Sequence, residues 1–561
     1  MNRSRNKNIY FYLCTFLLIS LGLSLRLYMV GDQILVDDEW HGIGVSSWNT
    51  FGNIFSRFWG TGSVIPYNLY RKAALLTVGW SESILRFPAI IAGFLSLIIF
   101  PVFVRKLFDK KTVLVFLTLF AISPFLIFYS RFSRPYSIVV LLFFSALMFL
   151  YYWLTTSKRK YMWLYITSAV LSVYFLPLTI FAVTVPLFAG LIIKDRAAPD
   201  KNEVYVYPAK KEIFFTSITF FCVISALLLS PLINSYSEIK GKIGAGTFSL
   251  NIVFDSLKLI SGTSNSFLTI VFLCFVLSGI FVVFKKNKLW GILSGTSVLS
   301  NFVFIGIFQP DFIQVPIVLT RYNIYLIPII FIMFSAGVCG MFDIFRQTLF
   351  KIRPGINNFI LSFAYSTVAV IFLLLLFKSG PLLSIYRYPN NFTNHSAFQE
   401  SYEAFSVEKP YKSGFYDVFT VDENSVHNFY KKIGSEKDTY KIIEYPMIIA
   451  DHLNPFYYYQ FFHKKGVIIG YFSNSSFVGR CLNAPETKDN LHFKNMVDLS
   501  NIRDITASNA KYIILHKNVL NEAAATHNSD FNGYVDTLKE KYVKVFGPPI
   551  VEDQSIIVFG I

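Results

Sequence analysis

Ile34-Leu35-Val36-Asp37-Asp38-Glu39-Trp40-His41-Gly42-Ile43 decides how the rest of the chain is read. It follows directly on an apolar run, Ile9 to Val30, long enough to cross a bilayer at ~20 residues. Three acids in a row at a membrane boundary contribute nothing to insertion. They could be a solvated loop that ends a helix. An aromatic and an imidazole follow at once, however, and arginine-bearing segments recur on the same predicted side. Those neighbours favour a catalytic carboxylate held at the outer membrane surface.

Composition places the stretch in a membrane protein. Of 561 residues, 54% are hydrophobic and 18% aromatic, while only 15% are charged, against about 25% in soluble domains. The net charge of +17 raises nucleic acid as a partner, but its distribution argues otherwise. Residues 378–561 hold 19 Lys and Arg against 20 Asp and Glu, and residues 1–377 hold the other 32 bases against 14 acids. The basicity therefore belongs to the membrane part, where it sets orientation. Cys481 alone lies in the polar C-terminal part, so no disulfide can form within it, and no Cys/His spacing of metal-binding type occurs.

Apolar runs predict spans near residues 9–30, 86–104, 112–130, 136–156, 161–176, 177–193, 213–233, 265–284, 289–308, 322–341 and 358–377, roughly eleven helices. The first is expected to be an uncleaved span, since no small-residue cleavage site precedes Gly31-Asp32. Alternate loops and the N-terminal tail carry 21 of the 32 bases. The positive-inside rule makes those segments cytoplasmic, in a cell inner (plasma) membrane, and leaves the C-terminal domain periplasmic or extracellular. Residues 31–85 then form an outer loop on the same side, with aromatic residues suited to interfacial helices. Residues 234–262, with four glycines, are open to two readings, a mobile lid or a flexible connector. The expected domains are 1–377, transmembrane, with the outer loop 31–85 carrying the site, and 378–561, a soluble α/β domain. In the latter, β-rich runs at 440–445, 466–471, 512–516 and 555–560 alternate with polar helical stretches such as 535–542.

Several motifs carry a family resemblance. Asp38-Glu39-Trp40-His41 is similar to the Asp-Glu-x-His signature of protein O-mannosyltransferases. Pro66-Tyr67-Asn68-Leu69-Tyr70, followed by Ser81-Glu82-Ser83-Ile84-Leu85-Arg86-Phe87-Pro88, resembles the loop-to-second-span pattern of wider bacterial relatives, the lipid A aminoarabinose transferases among them. Arg131-Phe132-Ser133-Arg134-Pro135-Tyr136 and Arg321-Tyr322 fall where such proteins place basic-aromatic pairs, and Phe546 to Asp553 resembles their last outer hairpin. The resemblance implies a GT-C-type membrane glycosyltransferase that uses a polyprenyl-phosphate-linked sugar. One departure stands out: relatives of the aminoarabinose type carry a basic residue just before the proline of the Pro66 motif, and here that position is Val64-Ile65.

The chemistry required is consistent with these residues. A sugar on a lipid phosphate already has a leaving group. A carboxylate must deprotonate the acceptor hydroxyl, and guanidinium forks must receive the departing phosphate. Asp38 is the expected base, with Glu39 and His41 positioning acceptor, donor or Asp38 itself. Arg86, Arg131, Arg134 and Arg321 are the candidate phosphate ligands, against the plainer reading that each arginine snorkels to headgroups. Arg131 and Arg134 would share a face if their segment were helical. Asp37, Tyr67, Tyr136 and Tyr322 are candidate substrate contacts, although tyrosines in such positions more often belong to an interfacial belt. The sequence identifies no cofactor with certainty. A divalent cation shared by Asp37, Asp38 and a donor phosphate is compatible with the stretch, and the arginines make it dispensable. The expected partners are the polyprenyl-phosphate-linked sugar, membrane lipids and an envelope acceptor, without nucleic acid. A transporter or flippase of lipid-linked saccharide is the alternative from another class, and an O-antigen-type ligase or polymerase with a diphosphate-linked donor is the nearest enzymatic one. The span interiors hold almost no ionisable residues, which disfavours a transporter.

Overall fold

The computed structural model describes residues 2–35, 38–59, 64–193, 208–244, 246–247, 249–352, 367, 370–376, 378, 411–412, 420–421, 424, 426–446, 456–472, 477–487, 490–517 and 531–561. The chain divides into two compact units. One comprises residues 1–28, 52–67 and 86–380, and the other residues 29–51, 68–85 and 381–561.

The first unit is helical and makes the chain a multi-pass membrane protein. Seven helices among the described residues are long and apolar enough to cross a membrane: Asn8–Leu27, Glu82–Leu107, Tyr136–Thr156, Lys210–Asn234, Ser266–Lys286, Lys288–Phe308 and Ile324–Thr348. They coincide with seven of the eleven expected spans. The expected span at 112–130 is broken into Lys110–Ile122 and Pro124–Ser130, bent by 57°. Pro124 has no N–H to continue the ladder, and the Ser123 side chain instead accepts the Leu126 N–H. The buried Arg26 side chain completes the break by donating to the carbonyls of Ala121 (3.0 Å) and Phe120 (3.1 Å), which the ended helix leaves over. The stretch 161–193 forms two helices, Arg159–Phe175 and Thr179–Ile193, of 17 and 15 residues. Both fall short of the span length, because Pro177 stops the first. The expected span 358–377 lies largely outside the described residues.

Residues 234–262 carry two helices, Tyr236–Gly241 and Leu250–Ser261. The stretch between them is tied by the Gly244 N–H to the carbonyl of Phe308 (3.0 Å) and by the Gly246 N–H to that of Gln309 (2.9 Å). Ser266–Lys286 packs closely on Ile327–Ile352, where a Cβ at Gly279 would lie 1.6 Å from the Met333 carbonyl oxygen. Small residues allow such backbone approach between apolar helices. Phe272 and Phe334 stack beside it with centroids 4.7 Å apart.

The second unit is α/β. Two short strands, β1 (Tyr411–Lys412) and β2 (Thr420–Val421), pair with each other. A six-stranded sheet holds β3 (Lys441–Tyr445), β4 (Gly466–Tyr471), β5 (Met496–Asp498), β6 (Ala510–His516), β7 (Val551–Glu552) and β8 (Ile556–Gly560) in the order β5-β4-β3-β6-β8-β7. The first four run parallel, and β8 pairs antiparallel with both β6 and β7. Ile442 stands opposite Val467, and Ile514 opposite Val558. β3 and β4 are buried along nearly their whole length, which is why they read as runs rich in Ile and Val. Leu538 and Tyr542 of the helix Phe531–Phe546 cover one face, against Ile443, Ile513 and Phe559.

The segments 29–51 and 68–85, from the stretch that follows the first span, pack with this domain. Trp40, Ile43, Leu75 and Trp80 form one buried cluster with Val478, Cys481 and Leu482. Trp80 also continues the backbone pairing, donating to Asn490 and accepting from His492, each at 2.8 Å. The sequence groups the whole loop 31–85 with the membrane part, since nothing in it advertises a partner 400 residues away.

Candidate functional site

The helix Asp38–Trp48 begins within the acidic stretch. Asp38 and Glu39 occupy its first turn, where carboxylates suit the unsatisfied N–H groups. Both are buried, as is Trp40, whose indole N–H donates to the Leu35 carbonyl at 3.0 Å and fixes the entry of the chain. His41 faces outward. Asp37 lies outside the described residues.

Asp38, Gly42 and Ser46 succeed one another at four-residue spacing and so share one face. That face meets the segment Asn68–Arg71. Ser46 Oγ donates to the Asn68 carbonyl at 3.3 Å, and the guanidinium of Arg71 lies against Gly42. A Cβ at Gly42 would stand 2.1 Å from Arg71 Nη1, so only glycine admits the approach. Arg71 is fully buried, donates to Asn68 Oδ1, and accepts the Trp80 indole N–H on its own carbonyl at 2.8 Å. Arg71, a buried arginine packed against the face that begins with Asp38, is not among the residues that the motifs single out. The signal was there, since Arg71 directly follows the Pro66–Tyr70 motif that lacks its expected upstream base.

The other candidates lie in the first unit. Arg131 caps the helix Pro124–Ser130 and Arg134 stands two residues before the Tyr136–Thr156 helix. The residues between them are not helical, so they share a bend and not a helix face. Arg131 donates to the Leu25 carbonyl at 3.2 Å. Arg321 ends the short helix Pro316–Tyr322, with its guanidinium 5.8 Å from the Tyr322 ring. Arg86 lies in the second turn of Glu82–Leu107. All four arginines are buried, as are Tyr67 and Tyr136, and Tyr322 is half-buried. The acid-bearing helix thus belongs to one unit, and Arg86, Arg131, Arg134 and Arg321 to the other. Among the described residues, no group of three or more His, Cys, Asp or Glu is placed to hold a metal ion.

Fold and composition define a multi-pass helical membrane protein with a C-terminal domain built on a mainly parallel sheet. No protein-family model matches the chain, and neither does any curated protein. Among solved structures it is similar to ArnT from Cupriavidus metallidurans, in the apo state and bound to undecaprenyl phosphate, each with 11% identity over 97% of both chains and a TM-score of 0.43. It is also similar to the archaeal oligosaccharyltransferase AglB from Archaeoglobus fulgidus in complex with an inhibitory peptide and a dolichol-phosphate, with 12% identity over 91% of this chain and 70% of that one and a TM-score of 0.44.

Proposed function

We propose that this chain is an integral membrane glycosyltransferase. It moves a sugar from a polyprenyl-phosphate donor to an envelope lipid, glycan or protein acceptor on the outer side of the membrane. Asp38 takes the proton of the acceptor hydroxyl. The freed oxygen attacks the anomeric carbon as the bond to the phosphate oxygen breaks, and the phosphate leaves with that electron pair. Attack opposite the leaving group inverts the anomeric centre.

The observation that carries this reading is the burial of Asp38 and Glu39 on a helix that begins shortly after the first span, with Arg71 seated on the same face. A solvated acidic loop would leave those carboxylates exposed. The arginines argue in the same direction. Snorkelling would carry guanidinium groups out to headgroups, whereas Arg86, Arg131, Arg134 and Arg321 are enclosed by protein. Enclosed guanidinium forks suit a phosphate leaving group.

The test is mass spectrometry of envelope glycolipids and glycoproteins with the chain present and deleted. Loss of one glycosyl species on deletion, regained with the wild-type chain, is the expected result. Unchanged glycosylation together with accumulation of a lipid-linked sugar on the inner leaflet would instead point to a flippase. A reporter active only in the cytoplasm, fused after Ile561, should remain silent.

A further inference from the structure

We propose that an open cleft at the far end of the acid-bearing helix binds the distal sugars of the acceptor. The proposal rests on the glycosyltransferase reading for the ligand's role, and on the cleft's own side chains for its chemistry. The cleft, about 500 Å³ in volume, lies wholly within the second unit. The last turn of the helix Asp38–Trp48 forms one wall, and the segment from Arg480 to Glu486 forms the other.

Its lining combines the groups that a sugar needs. Trp48 is 49% exposed, large for an indole in a folded domain, and its N–H donates to the Arg480 carbonyl at 3.3 Å, which fixes the ring's orientation. Sugars present a face of C–H bonds that packs on such a ring. Their hydroxyls donate and accept at once, so they need acids, amides and bases together. Asn49, Asn483, Arg480 and Glu486 supply that mixture. Lys72, almost fully buried, pairs with Glu486 and holds its carboxylate at the cleft wall. With that pair neutralised, the lining keeps no strong excess of one charge, which favours a polyhydroxyl ligand over a simple anion.

The position suits an acceptor. Asp38 and Trp48 are the two ends of one 11-residue helix, so the cleft is ~15 Å from the acid end at 1.5 Å per residue. A single sugar in the cleft could not also present its hydroxyl to Asp38, so the cleft would hold sugars distal to the one that reacts.

The experiment uses the full chain in nanodiscs and three probes: maltotetraose, chitotetraose and α-1,6-mannotetraose, followed by saturation-transfer NMR and titration calorimetry. At least one should bind. Trp48→Ala should weaken that binding at least ten-fold and Asn483→Ala three-fold or more, while Trp48→Phe, which keeps a ring, should retain most of it. Binding that survives Trp48→Ala, or no binding of any probe, overturns the proposal. So does quenching by brominated phospholipids that disappears in Trp48→Phe, because Trp48 would then be an interfacial anchor. Inorganic phosphate binding as well as the sugars would make the cleft an anion site and overturn it too. Asp38→Asn should leave probe binding intact, so probe binding without any transferase activity in the wild type would sink the enzyme reading and leave the cleft as a lectin-like site.

Discussion

The carboxylate of Glu82 accepts the backbone N–H of Asn495 at 3.2 Å across 413 positions of sequence, and that of Lys494 at the same distance. One side chain near the end of the 68–85 segment therefore satisfies two backbone donors just before β5. Removing it leaves the buried Asn495 N–H without its acceptor, at about 1–3 kcal/mol, and the part-buried Lys494 N–H at less. Glu82→Ala should lower the thermal midpoint of the second unit and expose the loop to protease, whereas Glu82→Gln, which keeps one acceptor oxygen, should cost less. Equal midpoints for wild type and Glu82→Ala would show that these bonds do not hold the loop.

Gly42→Ala sets two effects of opposite sign against each other. Alanine is the better helix former by ~1 kcal/mol, so a change without steric consequence would stabilise the protein. The added Cβ would also stand 2.1 Å from Arg71 Nη1, and overpacking of that kind costs about 1–3 kcal/mol. We expect the clash to win, with a lower midpoint and at least ten-fold slower sugar transfer as Arg71 is displaced. A stabilised, fully active Gly42→Ala would mean that the guanidinium moves aside without consequence.

What the sequence made legible follows from the range of the interactions involved. Spans are local, and seven of the expected apolar runs are helices of membrane-crossing length. The break at Ser123–Pro124 is marked locally by a proline, yet the apolar residues on both sides make 112–130 read as one span. The strands at 441–445 and 466–471 stood out as β-branched runs. Their order in the sheet did not, because β3 pairs with β6 about 70 residues on. At the site, Asp38 to His41 were legible as a motif. Arg71 became a candidate only once Gly42 was seen to admit it, and Glu82 only through a partner more than 400 residues away. No periodicity reports such contacts.

Acid should weaken the C-terminal domain. His463 is fully buried, and burial first, with Lys465 adding to it, lowers its pKa to about 3. Its Nδ1 accepts the Lys465 N–H at 3.0 Å, so the neutral ring carries its proton on Nε2, 3.9 Å from Glu444. The unfolded chain protonates this ring near pH 6.5, and the folded one resists until about pH 3. Stability is therefore complete above 6.5 and falls with pH below it, by up to about 1.4 kcal/mol per unit. His516, lowered mainly by burial while Glu444 pulls it upward, steepens the fall. Unfolding midpoints at pH 7.5, 6 and 5 should decline, and His463→Gln should flatten the decline. A pH-independent midpoint in the wild type would contradict this account.

Arg131, Arg134 and Arg321 can be separated from structural arginines by Lys substitution. An ammonium keeps the charge but cannot reproduce the planar fork at a phosphate. Each Lys variant should fold, retain part of its donor affinity and lose most of its transfer rate. Arg131 also donates to the Leu25 carbonyl, so its variant should lose some thermal stability as well. Full turnover and unchanged donor affinity in all three would remove them from the phosphate site.

Asp38 and Glu39 are adjacent, both buried and both in the first turn, so burial alone does not choose the base. Helix geometry separates them, since neighbours on a helix point about 100° apart. Asp38 begins the face that continues through Gly42 to Arg71, and Glu39 does not share it. Asp38 is therefore the acid on the helix face that packs against the buried Arg71 guanidinium. Asp38 also has the shorter side chain, which loses less rotamer freedom when held. Asp38→Asn keeps the shape and removes the basicity. Transfer in membranes at matched protein level should fall by the ~10²–10⁴-fold typical of a lost general base, with donor binding retained. Glu39→Gln should cost less, and His41→Ala less again, because His41 faces outward. Asp37→Asn should cost least among the acids, since Asp37 precedes the Asp38-Glu39-Trp40-His41 motif. A dead Asp37→Asn beside a near-normal Asp38→Asn would move the base by one residue. Normal transfer in all four variants would end the assignment of this helix as the catalytic element.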